Sequence, residues 1–422
     1  MKKKIYSWSL VLNWFLAWGF FNFLGAGSVP YFRDAVAAIY GYSTVTVLDM
    51  STWSTILVSV IFLVLPRYLT KFGAKKILVI GAIIGAISYA LTAVAGSPIL
   101  LGILIGLNQL WAGLYCSIST MIMVSKWFPR TKGTIMGIIT AAGIMSYGIF
   151  TPVFTKIMAS SGVQNAMFLF AGLLLVYGIV SIFWLKDTPE EAGCLPDNKP
   201  MSDEERKMFT AAANVKTNWT YRNLLKTPKI WCIGIGWGLE LAAFIIIGNT
   251  AIPHFMGMGI PMTRIVAVTS VVGILSCICS IVSGILDDKI GLIATTAIVF
   301  VLHALGMFGT GAAALLPVGL AFAFYLIPMS VGGACNNLPA SQSLNVMGAA
   351  GYAKGYVLVQ AMFSIKSIGF FVAARSLEAT GGYTMALYIG GAMVIVGLIL
   401  VIIGGKKRLP EPAAPVAEAV EK

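Results

Sequence analysis

Twelve apolar runs, each long enough to cross about 30 Å of hydrocarbon as a helix, alternate along the chain with polar turns. They lie at 8–29, 50–66, 77–96, 98–124, 133–157 and 165–185, then at 230–252, 265–286, 291–311, 314–338, 355–375 and 383–404, and are numbered spans 1 to 12. The longest polar stretch, 186–229, divides them six and six. The pattern predicts an all-α membrane protein with two six-helix bundles: residues 1–185, a linker at 186–229, a second bundle at 230–404 and a disordered tail at 405–422. Within the linker, Asp203-Glu204-Glu205-Arg206-Lys207 predicts a short amphipathic helix at the membrane surface. Lys2, Lys3 and Lys4 precede an apolar run too long for a cleavable signal, so the reading there is a first span.

Basic residues between the runs predict the orientation. With the N-terminus inside, one face receives Lys2 to Lys4, Arg67, Lys71, Lys75, Lys76, Lys126, Arg130, Lys132, the basic residues of the linker, Lys289, Lys354, Lys406, Lys407 and Arg408. The other receives Arg33, Lys156, Arg264 and Arg375. This asymmetry places both termini on the cytoplasmic side of a cell membrane.

Composition agrees with the pattern. The chain is 58% hydrophobic and 11% charged, against about 45–50% and 25% in soluble domains. A net charge of +13 would suggest nucleic-acid binding on a soluble protein, but here the charge sits at the ends of apolar runs, and no nucleic acid is expected. Six cysteines include no CxxC pair and five fall in apolar segments, which favours small core residues over metal or disulfide chemistry.

The two halves echo each other. Trp14 precedes Pro30-Tyr31-Phe32 as Trp237 precedes Pro253-His254-Phe255; Lys71-Phe72-Gly73 answers Lys289-Ile290-Gly291, and Lys132-Gly133 answers Lys354-Gly355. Duplicated halves with a site at their interface are an architecture of alternating-access transporters.

Gly284-Ile285-Leu286-Asp287-Asp288-Lys289-Ile290-Gly291 fits G-x-x-x-D-[RK]-x-G between spans 8 and 9, and it resembles the loop signature of the major facilitator superfamily. The first-half copy has Pro66 and Thr70 where glycine and aspartate are expected, while Lys71 and Gly73 match. Lys126-Trp127-Phe128-Pro129 with Lys132-Gly133, and Asp187-Thr188-Pro189-Glu190-Glu191-Ala192-Gly193 with Leu195-Pro196-Asp197, look like features of facilitators for organic anions. Within the superfamily the chain is most similar to the oxalate/formate-antiporter and monocarboxylate-porter group. The resemblance implies the major facilitator fold, with gating roles for Gly284, Asp288, Lys289, Gly291, Lys71 and Gly73. It also implies that Lys366 binds a substrate carboxylate. Oxalate/formate-type carriers place an arginine where Ser280 stands, and one cation instead of two points to a monoanion or a zwitterion.

Ionisable residues deep in spans are costly and usually face a cavity or a partner. Glu240 in span 7, His303 in span 9 and Lys366 in span 11 are the candidates. Glu240 shares a predicted face with Trp237 and Phe244, and reads either as a proton or substrate-cation site or as an ion pair with Lys366. His303 reads as a hydrogen-bonded packing residue. Asn108, Trp111, Tyr115 and Ser119 align on one face of span 4, and Trp14, Trp18 and Phe21 on one face of span 1; each stripe reads as cavity lining or as helix packing. Asn336, Asn337 and Gln342 line the inner vestibule or cap span 10.

No phosphate-binding loop and no metal-spaced histidine pair occur, so neither an enzyme, a cofactor nor a metal is expected. The reading is a secondary transporter for a small organic anion, a monocarboxylate, working as a monomer in lipid by proton symport or anion exchange. Its substrate contacts are Lys366, Glu240, Trp237, Asn108, Trp111, Tyr115, Trp18 and Asn337. The alternatives are a proton-driven exporter of hydrophobic compounds, or a non-transporting sensor on the same fold.

Overall fold

The computed structural model describes residues 2–69, 72–200, 202, 205 and 218–410. Lys71, most of the amphipathic stretch at 203–207 and the tail beyond Pro410 lie outside the described residues.

The described residues form helices and no strand. Eleven helices are long and apolar enough to cross a membrane, and the shorter Val318–Val331 makes the twelfth span. In lipid, a helix satisfies its own backbone polar groups, which is why so apolar a chain adopts no open sheet. Span 1 is Lys2–Asn22 followed by a π-turn at Phe23–Gly27 and a second helix at Val29–Tyr40. Span 2 is Thr44–Leu69 and span 3 is Ala74–Ala93. Span 4 opens at Pro98, where the Ser97 hydroxyl accepts the Leu100 amide at 3.1 Å. It is interrupted by a π-turn at Leu114–Ile118 and resumes at Ser119–Trp127. Spans 5 and 6 are Lys132–Ser161 and Val163–Trp184. Spans 7, 8, 9 and 12 are Pro228–Gly257, Met262–Ile290, Leu292–Gly311 and Thr384–Gly405.

The turns between spans 2 and 3 and between spans 8 and 9 share one backbone conformation. Gly73 has φ 86° and ψ 145°, and Gly291 has φ 85° and ψ 157°. Only glycine adopts such angles without strain, so the echo between Lys71-Phe72-Gly73 and Lys289-Ile290-Gly291 includes a shared demand on the backbone.

Spans 10 and 11 depart from the predicted limits. Val318–Val331 is followed by a tight 3₁₀ turn at Ala334–Asn336 and then by helical residues Leu338–Met362, which bend at Gly348 (φ 66°, ψ 172°). Span 10 therefore runs on to Met347 instead of ending near 338. Gln342, expected to line the inner vestibule or cap span 10, is bonded inside the protein: it donates to the Val401 carbonyl at 2.8 Å and accepts from the Trp237 indole at 2.6 Å. Span 11 contains a 3₁₀ segment, Phe363–Ser367, before it continues as Ile368–Thr380.

The linker is shared between the halves. Its first part belongs to the first bundle: Asp187 Oδ1 accepts the Lys75 amide at 2.7 Å, and Asp197 accepts the Arg130 amide at 2.9 Å and the Thr131 hydroxyl at 2.6 Å. Arg130 also pairs with Glu205 at 2.6 Å, which holds that carboxyl below its ordinary value. From Tyr221–Leu225 onward the chain leads into span 7, where Lys229 donates to the Lys407 carbonyl at 2.9 Å. The N-terminal Tyr6 bonds the Trp184 carbonyl, so the start of span 1 lies beside the end of span 6.

Candidate functional site

The two halves meet where span 5 packs on span 8 and span 2 packs on span 11. Between them lies a small cavity of about 60 Å³. Its first-half wall is the π-turn region of span 1, Ala26 to Tyr31. Single π-turns within helices are frequent at functional sites. The second-half wall includes Phe244, Asn249, Thr269, Tyr325 and Met329. Thr269 and Tyr325 share a hydrogen bond of 3.2 Å. Asn249 Oδ1 is buried with no partner among the described residues.

Lys366 lies on the 3₁₀ segment of span 11, near the middle of the run Gly355–Thr380. That segment packs against spans 7 and 2. Glycines on span 7 allow the approach: a Cβ at Gly234 would fall 2.2 Å from Met362 Sδ, and one at Gly238 would fall 3.0 Å from the Met362 carbonyl. Lys366 is half-buried and has no hydrogen bond or ion pair with any described residue. An ammonium without an acceptor in an apolar run is costly to keep, and its natural complement is an anion from outside the fold.

Glu240 does not pair with Lys366. Glu240 Oε1 lies 2.5 Å from His303 Nδ1 on span 9 and 3.4 Å from Cys335 Sγ at the break in span 10. Glu240 and His303 are both fully buried. At 3.6 residues per turn, Glu240 and Gly238 point to roughly opposite sides of span 7, so the carboxylate faces His303 and Cys335 while the segment that carries Lys366 packs on the other side through Met362 and Ile365. Trp237 packs edge-on to Phe300 at 5.0 Å and caps Gln342.

Lys366, Glu240 and Trp237 do not line the cavity, and the remaining candidates also stand apart from it. Asn108 clips span 4 to span 3, accepting from Ser88 at 2.8 Å and donating to Thr92 at 3.0 Å. Trp111 and Tyr115 lie against Gly85 and Gly81 of span 3. The Trp18 indole donates to Thr120 at 3.2 Å, joining spans 1 and 4. Asn337 is exposed and donates to Ser280 at 2.7 Å. Ser280 is therefore held by a neutral amide. Gly284, Asp288 and Lys289 are exposed, and Asp288 and Lys289 pair with no described residue. Gly73 packs against Asp187 instead of a neighbouring turn.

Charges that the sequence reading used only for topology lie on the opposite face, between the halves. Asp49 of span 2 pairs with Arg375 of span 11, and Arg375 also meets Glu378 at 2.5 Å. Arg33 holds Asp34 through two contacts of 2.9 and 3.2 Å and reaches the Asn249 carbonyl of span 7 at 3.5 Å. Next to them Leu48 packs with Phe370, Ala373, Ala374 and Tyr383. Opposite charges at the facing ends of spans 2 and 11 were the available signal, but pairing them required knowing that these two spans touch.

Residues 14–374 match the sequence family described as Major Facilitator Superfamily. The chain is similar to the uncharacterized MFS-type transporter YhjX of Escherichia coli (strain K12), with 24% identity over 307 residues, 71% of this chain and 70% of that protein. It is also similar to the oxalate:formate antiporter of Oxalobacter formigenes, with 25% identity over 333 residues, 75% of this chain and 67% of that one. Among solved structures, the inward open xylose transporter XylE from E. coli aligns with a TM-score of 0.74 at 14% identity, over 97% of this chain and 98% of that chain. A bacterial homolog to the human lysosomal transporter Spinster aligns with a TM-score of 0.64 at 13% identity, over 95% and 96%. The likeness to these two structures is one of fold.

Proposed function

This chain belongs to the Major Facilitator Superfamily, and on that premise we propose that it moves a small organic anion, a monocarboxylate, by alternating access, with Lys366 as the anion contact. The observation that carries this reading is the half-buried Lys366 ammonium, which meets no acid among the described residues. At an effective dielectric of about 20, a carboxylate about 4 Å from it gains roughly 4 kcal/mol of Coulomb energy. Ser280, bonded to Asn337, supplies no second positive charge, so one carboxylate balances the site. The similarity to an oxalate:formate antiporter supports an organic anion as the class of cargo.

Alternation follows from the two-bundle build. The Asp49–Arg375 pair and the hydrogen bond from Arg33 to the Asn249 carbonyl tie the halves on the face opposite the lysine-rich one, and these ties must open when the site turns to that face. By the positive-inside rule the lysine-rich face is cytoplasmic. Proteoliposome uptake of a monocarboxylate panel, by wild type and by Lys366→Gln, tests the reading. Saturable uptake that Lys366→Gln abolishes is expected. Unchanged uptake in the variant would remove Lys366 from the site and favour the hydrophobic-compound exporter, for which the aromatic lining of Tyr31, Phe244 and Tyr325 speaks.

A further inference from the structure

We infer that Glu240 and His303 form a proton-binding centre inside the second bundle, loaded when a monoanion neutralises Lys366 across span 7. This rests on the proposed anion site and adds the coupling ion and its place.

Both residues are fully buried, and each is left with one polar atom, Glu240 Oε2 and His303 Nε2, that has no partner among the described residues. An unsatisfied buried polar group costs about 1–3 kcal/mol, a cost that a proton added at the pair would lower. In the proposed resting state Glu240 is a carboxylate and His303 an imidazolium joined through Oε1 and Nδ1, a pair neutral overall. The free Oε2 is where a second proton adds. That step takes one proton from water, forms one O–H bond and leaves the pair with a charge of +1.

The titratable groups facing the pair are few. Cys335 comes from the break in span 10. Span 12 carries only Tyr388, which lies against Phe308 toward its far end. Lys366 sits behind span 7, where the packing of Gly234 and Gly238 places its segment. While Lys366 is unpaired, its charge opposes a second proton on Glu240. A carboxylate bound at Lys366 cancels that charge, so anion and proton favour one another's binding reciprocally. One proton travels with one anion, and the step is electroneutral. Access is suggested by Phe244, which lies one helical turn from Glu240, lines the cavity and packs on Gly332 at the same break.

Two measurements on the full-length protein test the inference. Infrared titration of purified wild type, without any anion, should show a buried carboxyl band growing as pH falls and missing from Glu240→Gln. In proteoliposomes, lactate and formate serve as probes, with protein-free vesicles subtracted. A gradient of one pH unit should drive roughly tenfold accumulation in wild type. Glu240→Gln should lose that accumulation yet keep lactate or formate exchange. The double variant Glu240→Gln/His303→Asn retains an amide hydrogen bond without a titratable group, and should behave the same way if the single change fails to fold. A carboxyl band unaffected by Glu240→Gln, or accumulation that persists in either variant, overturns the proton centre. Wild-type exchange of lactate or formate that ignores the pH gradient also overturns it while leaving the anion site standing. Absence of any probe transport in wild type counts against the anion reading instead, and the infrared result then decides the proton centre alone.

Discussion

Asp49 on span 2 and Arg375 on span 11 form an ion pair that crosses from one half of the molecule to the other. Both side chains are partly exposed, so the pair contributes about 1 kcal/mol or less. A population balance between two conformers is sensitive to that amount. Asp49→Asn should raise the share of molecules open on this face several-fold, read as faster modification of a cysteine placed at Leu48. The exchanged pair Asp49→Arg/Arg375→Asp should return the rate toward wild type. No change in either variant would show that the apolar contact of Leu48 and Phe370 closes the face unaided.

Glu240 pairs with His303 while Lys366 has no partner among the described residues, so their variants should not compensate. Lys366→Gln should reduce monocarboxylate affinity by at least about tenfold, as expected for a lost charged contact in a partly buried site, with melting temperature little changed. Adding Glu240→Gln should leave the loss in place. Recovery of transport in the double variant would show that the two charges communicate by direct pairing in some state of the cycle.

The matching turns give a stability prediction. Alanine at Gly73 or Gly291 would have to hold a backbone conformation that costs about 1–3 kcal/mol. Gly73→Ala should cost more, because its Cβ would lie 3.0 Å from Asp187 Oδ2, whereas nothing lies within 4 Å of one at Gly291. Thermal unfolding in detergent checks the order Gly73→Ala below Gly291→Ala below wild type.

Membrane orientation is tested in a background lacking the six native cysteines. Cysteines at Gly96 and Ala312 should react with an impermeant thiol reagent from outside intact cells. One at Ala192 should react only after lysis. The opposite pattern would invert the protein in the membrane.

The twelve spans and the turn glycines were legible because each follows from short-range rules: run length for the spans, positive φ for Gly73 and Gly291. The site was less legible. Asn108, Trp111 and Tyr115 do share one side of span 4, but periodicity cannot say which neighbour that side meets, and here it meets span 3. Glu240 was recognisable as anomalous in span 7, while its partner is 63 residues away on span 9. Lys366 could be placed in depth by counting, yet the 3₁₀ turn that carries it leaves no compositional trace. The end of span 10 was misjudged because Asn337, Gln342 and Ser343 dilute the hydropathy of residues that nonetheless continue the helical path past the break.

Gly238, which meets Met362 and Ile365 beside Lys366, and Glu240 stand on opposite sides of one helix, so in the proposed scheme the ammonium and the acid–imidazole pair act on each other across about one helix. A helix with its side chains is about 10 Å across. Two unit charges that far apart interact by roughly 1.7 kcal/mol at an effective dielectric of about 20, near a factor of sixteen in occupancy. Touching charges would lock together and stop the cycle; charges separated by the width of the whole bundle would ignore one another. Widening this separation by seating a side chain at Gly238, which would push the Lys366 segment outward, should therefore loosen the stoichiometry of ions to cargo before it harms either site taken singly.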